Sequence, residues 1–149
     1  MWRADEDVVM QIESRPYGAD AAADEIEALR ARVWKVEDRL FVYDEVPVQS
    51  LFTLDLLFDR LEELAAGLDR FAYVVDLRGV KRPGAEVRER LKQRVDRLNP
   101  RLAHVAAVVG NNVVIRAVAK LAAFAIGFRS FTSNVSVEDG LEACRRALR

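Results

Sequence analysis

One cysteine and one histidine stand in the whole 149-residue chain, and that scarcity closes off several kinds of chemistry at once. Cys144 finds no second cysteine for an intrachain disulfide, so a reducing compartment is expected. His104 finds neither a cysteine partner nor another histidine with which to hold zinc, and no metal is expected. The sequence also lacks a phosphate-binding glycine loop with its lysine, a dinucleotide fingerprint and a Gly-x-Ser-x-Gly elbow. With only four prolines and seven glycines there is no low-complexity tract or internal linker. Neither sign of charge is in excess: 23 basic residues against 24 acidic ones leave a net charge of −1. Such a balance exerts no global pull toward nucleic acid or an anionic membrane, and neither partner is expected. The most apolar run, Val113 to Phe128, is interrupted by Arg116 and Lys120 and falls short of the roughly 20 residues that span a bilayer. It reads as a buried helix. The opening carries Asp5, Glu6 and Asp7 where a secretory signal needs an apolar stretch, so a cytoplasmic location is expected.

What is present is ordinary globular material, half of it apolar, at a length that suits one core. The charge is unevenly distributed. Residues 5–27 carry eight acids against Arg15, whereas residues 78–101 carry nine basic residues against Glu86, Glu89 and Asp96. Residues 1–31 read as an N-terminal appendage, with a short strand at Val8 to Glu13, a break at Pro16-Tyr17-Gly18 and a helix from Asp20 to Arg30.

Residues 32–149 read as the main domain. Val33 to Val36 and Leu40 to Tyr43 make a hairpin around Glu37-Asp38-Arg39. Ser50 caps a helix whose Leu51, Leu54, Phe58, Leu61 and Ala65 share one face until Gly67. Phe71 to Leu77 is a continuous apolar run, as expected of a strand covered on both sides. A charged helix follows with Val87, Leu91, Val95 and Leu98 on its apolar stripe, then a strand from Ala103 to Val109. Asn111 or Asn112 caps the helix from Val113 to Ile126, and Gly127 stops it. Phe128 to Thr132 is the last strand, and Ser136 opens the final helix. Strand and helix alternate, so the expected fold is α/β, a mainly parallel sheet of four to five strands flanked by helices.

Three segments carry a resemblance to a known family. They are Val74-Val75-Asp76-Leu77-Arg78-Gly79-Val80, Val105-Ala106-Ala107-Val108-Val109-Gly110, and the ending from Phe131 to Leu141. Over residues 32–148 the pattern resembles the STAS superfamily of sulfate-transporter and anti-sigma-factor antagonist domains, in its SpoIIAA-like branch; a generic flavodoxin-like domain shares the same alternation. The resemblance implies a non-catalytic, regulatory module that binds a protein, or a nucleotide or other small anion. Its signalling members carry a phosphorylatable serine in the region that matches residues 78–88. This chain has no Ser, Thr or Tyr between Leu77 and Arg101, which excludes partner switching by phosphorylation there.

Catalytic candidates are few, and no enzyme and no cofactor are expected. Cys144 falls on the apolar stripe of the last helix, and His104 lies in an apolar strand as a hydrogen-bonded core histidine. The adjacent pairs Asp44-Glu45, Glu62-Glu63 and Glu138-Asp139 point in different directions and read as solvated faces or caps. Binding is expected instead at the carboxyl ends of the strands, where parallel sheets hold ligands. Arg78, Lys81 and Arg82 offer charge there, and Asn111, Asn112, Thr132, Ser133 and Asn134 offer hydrogen bonds, for an anionic ligand or partner. The apolar excess of the Val113–Ile126 helix needs a cover besides the sheet, either residues 1–30 or a second copy of the chain, and a homodimer through Val114, Val118, Leu121 and Phe124 is expected. Since no hydroxyl occurs in residues 78–101, treatment with a partner-switching serine kinase is expected to leave that segment unmodified. A phosphate mapped there by mass spectrometry would contradict this.

Overall fold

The computed structural model describes residues 11–149, so most of the expected Val8–Glu13 strand lies outside the described residues, and Gln11 to Glu13 form no strand. The elements run α1 (Ala23–Arg30), β1 (Val33–Glu37), β2 (Leu40–Asp44), α2 (Leu51–Leu64), β3 (Phe71–Asp76), α3 (Ala85–Leu98), β4 (Leu102–Val108), α4 (Val113–Ile126), β5 (Phe131–Asn134) and α5 (Val137–Leu148). The five strands form one sheet in sequence order. β1 and β2 are antiparallel, and every later neighbour is parallel. The expected α/β class and mainly parallel sheet are therefore present, with the hairpin at one edge. Its turn places Arg39 at φ 69, a left-handed conformation uncommon outside glycine, Asn and Asp.

Side chains alternate across the strands and divide the interior into two halves. On one face Phe41, Tyr43, Phe71, Tyr73 and Val105 pack with Leu54, Leu57, Phe58 and Leu61 of α2 and Val87, Val95 and Leu98 of α3. On the other face Leu40, Val42, Ala72, Val74, Ala106 and Val108 meet α5 through Val137, Leu141 and Cys144. Residues ahead of the hairpin join the first half, since Tyr17 and Leu29 are both fully buried. Tyr17 is fixed by Ser50, whose hydroxyl donates to the Tyr17 carbonyl at 2.6 Å while accepting the Thr53 N–H that it caps. The segment read as an appendage thus contributes to the common core.

α2 and α3 are clamped together by ion pairs. The Arg94 guanidinium is nearly buried and reaches Asp55, Asp59 and Glu62, while Arg90 and Arg97 bind Asp55 and Glu62 from the flanks. Its carbon also lies 5.5 Å over the Phe58 ring, a cation–π contact. The strongly charged surface of α3 is therefore a structural seam as well as a solvated face.

α4 departs from expectation. The run that reads as a buried helix has Ala123 as its one buried residue. The reason lies in side-chain volume. Ala119, Ala122 and Ala123 lie on the cleft side of α4 between Ile115 and Ile126, and their methyl side chains give the middle of that wall little reach toward the sheet. On the opposite face the packing is tight: a Cβ on Gly140 of α5 would sit 3.0 Å from Val74 Cγ1 and 3.5 Å from the Ala106 methyl. Gly140→Val is expected to destabilise the fold by roughly 2 kcal/mol through overpacking, measured as a lowered urea midpoint.

Candidate functional site

The gap beneath α4 is a cleft of about 610 Å³, within the usual range of small-molecule sites. Its floor is the sheet, where Tyr43, Tyr73 and Val75 share a face. One wall is α3 at Arg88 and Leu91, and the other is α4 at Ile115, Val118, Ala119, Ala122 and Ile126. Phe128 and Phe131, with ring centroids 5.7 Å apart, close the apolar end. Polar groups gather at the other end, beyond the carboxyl ends of β2 and β3: Glu45, Gln49, Arg78, Arg82 and Arg88.

Local chain geometry explains the arrangement. β3 ends at Asp76, whose carboxylate takes the Arg78 backbone N–H at 3.1 Å and pairs with the Arg78 guanidinium at 2.8 Å. Gly79 follows at φ 76, a turn that glycine makes without strain. The loop then brings Val80, Arg82 and Pro83 to the cleft. Arg88 is held by the Pro83 carbonyl at 2.7 Å. Arg82 makes no ion pair or hydrogen bond with the other described residues, which leaves its charge available at the mouth.

Glu45 is the unusual member. It follows β2, two positions beyond Tyr43, and is buried at 7% exposure. Burial pushes its carboxyl from the ordinary 4.5 to about 7, against the pull of the Val46 N–H and of Arg32, whose guanidinium bonds the Asp44 and Glu45 carbonyls. Beside it the Tyr43 hydroxyl is buried without a hydrogen-bond partner of good geometry among the described residues. Burial and the nearby Glu45 carboxyl raise the phenols of Tyr43 and Tyr73, so both keep their protons. The cleft therefore offers a cation at its mouth, and a carboxyl that is neutral below about pH 7 and a phenol O–H further in.

Of the residues expected to bind an anion or partner, Arg78 and Arg82 line this cleft and the others do not. Lys81 stands outside it, its backbone N–H bonded to the Pro47 carbonyl. Asn111 is exposed and does not line the cleft, while Asn112 is spent on capping α4, accepting the Val114 and Ile115 N–H groups. Thr132 hydrogen-bonds His104 and Asn134. Ser133 and Asn134 border a separate, shallow polar hollow with Arg116, Asp139, Glu142 and Arg146. The expected single crescent of loops is thus divided between two places, because α4 stands between them. Val118 turns one edge toward the cleft, whereas Val114, Leu121 and Phe124 are exposed outside it.

His104 is held by both ring nitrogens, Nδ1 to Ser130 at 2.6 Å and Nε2 to Thr132 at 2.9 Å, and burial lowers its pKa. Cys144 is buried, its thiol pushed up to about 12 and hydrogen-bonded to the Tyr73 carbonyl. Glu62 pairs with Arg94 and Arg97, and Glu63 with Arg30. Glu138 and Asp139 fill the first turn of α5, as read. Asp44-Glu45 corrects the reading of adjacent acids as solvated: Glu45 belongs to the buried face. Its i, i+2 relation to Tyr43 carries that signal in the sequence.

No family model matches the chain, and no curated protein matches it significantly.

Because the folded state holds the Glu45 proton up to about pH 7 while the unfolded chain releases it near 4.5, stability is expected to fall as pH rises through that window and to level off above it. The loss is on the order of 3 kcal/mol. Glu45→Gln keeps the shape and removes this loss, so urea midpoints of the variant between about pH 5 and pH 8 should change less than those of the parent protein.

Proposed function

We propose that the protein is a non-catalytic binding module of STAS type that holds one elongated, largely apolar small molecule with an anionic head. The observation that carries this reading is the polarity of the cleft. An apolar channel of about 610 Å³ ends in aromatic rings on one side and in Arg78, Arg82, Gln49 and Glu45 on the other. A ligand that fits both ends has a hydrocarbon body and an acid head, as a long-chain carboxylate does. Apolar burial then supplies affinity and the arginines supply orientation.

The STAS reading is supported by the resemblance of residues 32–148 and by the order of hairpin and parallel crossovers. Within it, the missing serine of the 78–88 loop separates this chain from phosphorylation-switched members, and the same loop contributes Arg78 and Arg82 to the cleft instead. A binding role without catalysis is supported by the commitment of His104 and Cys144 to structural hydrogen bonds.

The test is titration with a fluorescent long-chain fatty acid, cis-parinarate, followed by displacement with a saturated fatty acid and with the alcohol of equal length. Binding in the micromolar range is expected, ~8 kcal/mol. The alcohol should compete more weakly than the acid. Arg78→Ala/Arg82→Ala should weaken the acid about tenfold while Lys81→Ala leaves it unchanged. Equal affinity for acid and alcohol, or no binding of either, would overturn the reading.

A further inference from the structure

All the large apolar side chains that the described residues expose lie on α4: Val113, Val114, Ile115, Val118, Leu121 and Phe124. Phe124 is 85% exposed and Leu121 72%. At 100° per residue, Val114, Val118, Leu121 and Phe124 cluster on the side opposite Ala123. This is the reverse of an ordinary surface helix, which turns its apolar stripe inward.

Two cations stand beside that face. Between Asp96 and Glu138 the sequence has no acidic residue; of the basic residues in that stretch, Arg97 pairs with Glu62, Arg101 and Arg116 bond backbone carbonyls, and Lys120 and Arg129 are exposed. Lys120 stands at the edge of the outward face, and Arg129 is exposed just past the helix. The Asp96 carboxylate, beside Gly127, lies near the C-terminal end. The near-zero net charge argues against a membrane partner for the chain as a whole; the local segregation argues the opposite for α4.

We propose that the outward face of α4 docks on an anionic lipid surface, with the helix axis in the plane of the membrane. Fourteen residues make a helix of about 21 Å, and among the described residues none is long and apolar enough to cross a bilayer, so this helix suits the interface. Phe124 and Leu121 enter the acyl boundary while Lys120 and Arg129 meet lipid phosphates. A second copy fits this face less well. Two-fold pairing sets the patch against itself, and its two exposed cations, Lys120 and Arg129, then bring like charges to the contact, with the Asp96 carboxylate off to one end. The docking goes beyond the ligand reading and does not need the cleft to be filled.

The experiment is flotation of the full chain with phosphatidylcholine vesicles and with vesicles containing phosphatidylglycerol as well. Association is expected with the anionic vesicles only, and should weaken as salt is added. Leu121→Ser/Phe124→Ser and, separately, Lys120→Glu should each reduce it about tenfold. These side chains lie outside the cleft lining, so parinarate binding without vesicles is expected to persist in both variants, which separates this proposal from the ligand reading. Thermal melting checks that the variants remain folded. Binding indifferent to lipid charge, absence of binding, or variants that bind like the parent would overturn the proposal. So would a two-chain mass in equilibrium sedimentation that Leu121→Ser/Phe124→Ser converts to one chain, since that gives the face to a second copy.

Discussion

A parallel sheet has to be covered on both faces, and in this chain the cover is close on one face and looser on the other. α5 packs on its side so closely that a Cβ on Gly140 would press on the Val74 side chain at 3.0 Å. On the opposite side α2 and α3 cover the aromatic half of the sheet, and α4 faces the rest with alanines set between Ile115 and Ile126. The cleft, the buried carboxyl at its polar end and the exposed apolar helix all follow from that unequal coverage. Bulkier residues at positions 119 and 122 would narrow the channel from the α4 side.

The electrostatics follow the same division. Where α2 meets α3, the guanidinium of Arg94 is withdrawn from water but surrounded by three carboxylates, so burial and pairing oppose each other. At the cleft, Glu45 has no equally close cation on its carboxyl and retains its proton instead. Glu45 and Glu62 are therefore shifted in opposite directions: burial raises the one, while the half-buried other is lowered against its partial burial by its bonds to Arg97 and Arg94.

Much of the architecture was legible from periodicity and caps. The hairpin, the Ser50 and Ser136 caps, the stripe Val87-Leu91-Val95-Leu98 and the two central strands depend on local sequence, and the structure places them as expected. The core role of Cys144 and the hydrogen-bonded state of His104 were legible for the same reason. α4 was not, because hydrophobicity along one segment records how apolar a helix is and not whether a partner surface reaches it. Of the expected site residues, the loop after β3 delivered Arg78 and Arg82, since a strand's end and its following turn are local features. Thr132, Ser133 and Asn134 went elsewhere because their destination depends on how β5 and α4 sit against each other. Glu45 was missed as one of an adjacent acidic pair, although the step of two from Tyr43 already placed it on the inward face.

The Arg94 seam has a mechanical consequence. It ties α2 to α3 at several points along their length, so that wall of the cleft is stiff. The facing wall is tied back at Gly127, whose carbonyl takes the Asn99 amide at 2.9 Å, and at Arg116, whose guanidinium reaches the Ser133 carbonyl at 3.4 Å. Gly110 and Gly127 bracket it at φ 84 and 103, and both have backbone freedom that other residues lack. One wall is thus pinned by a row of ion pairs, while the lining of the other is small at Ala119 and Ala122, so a change of bulk at those two positions bears directly on the width of the channel.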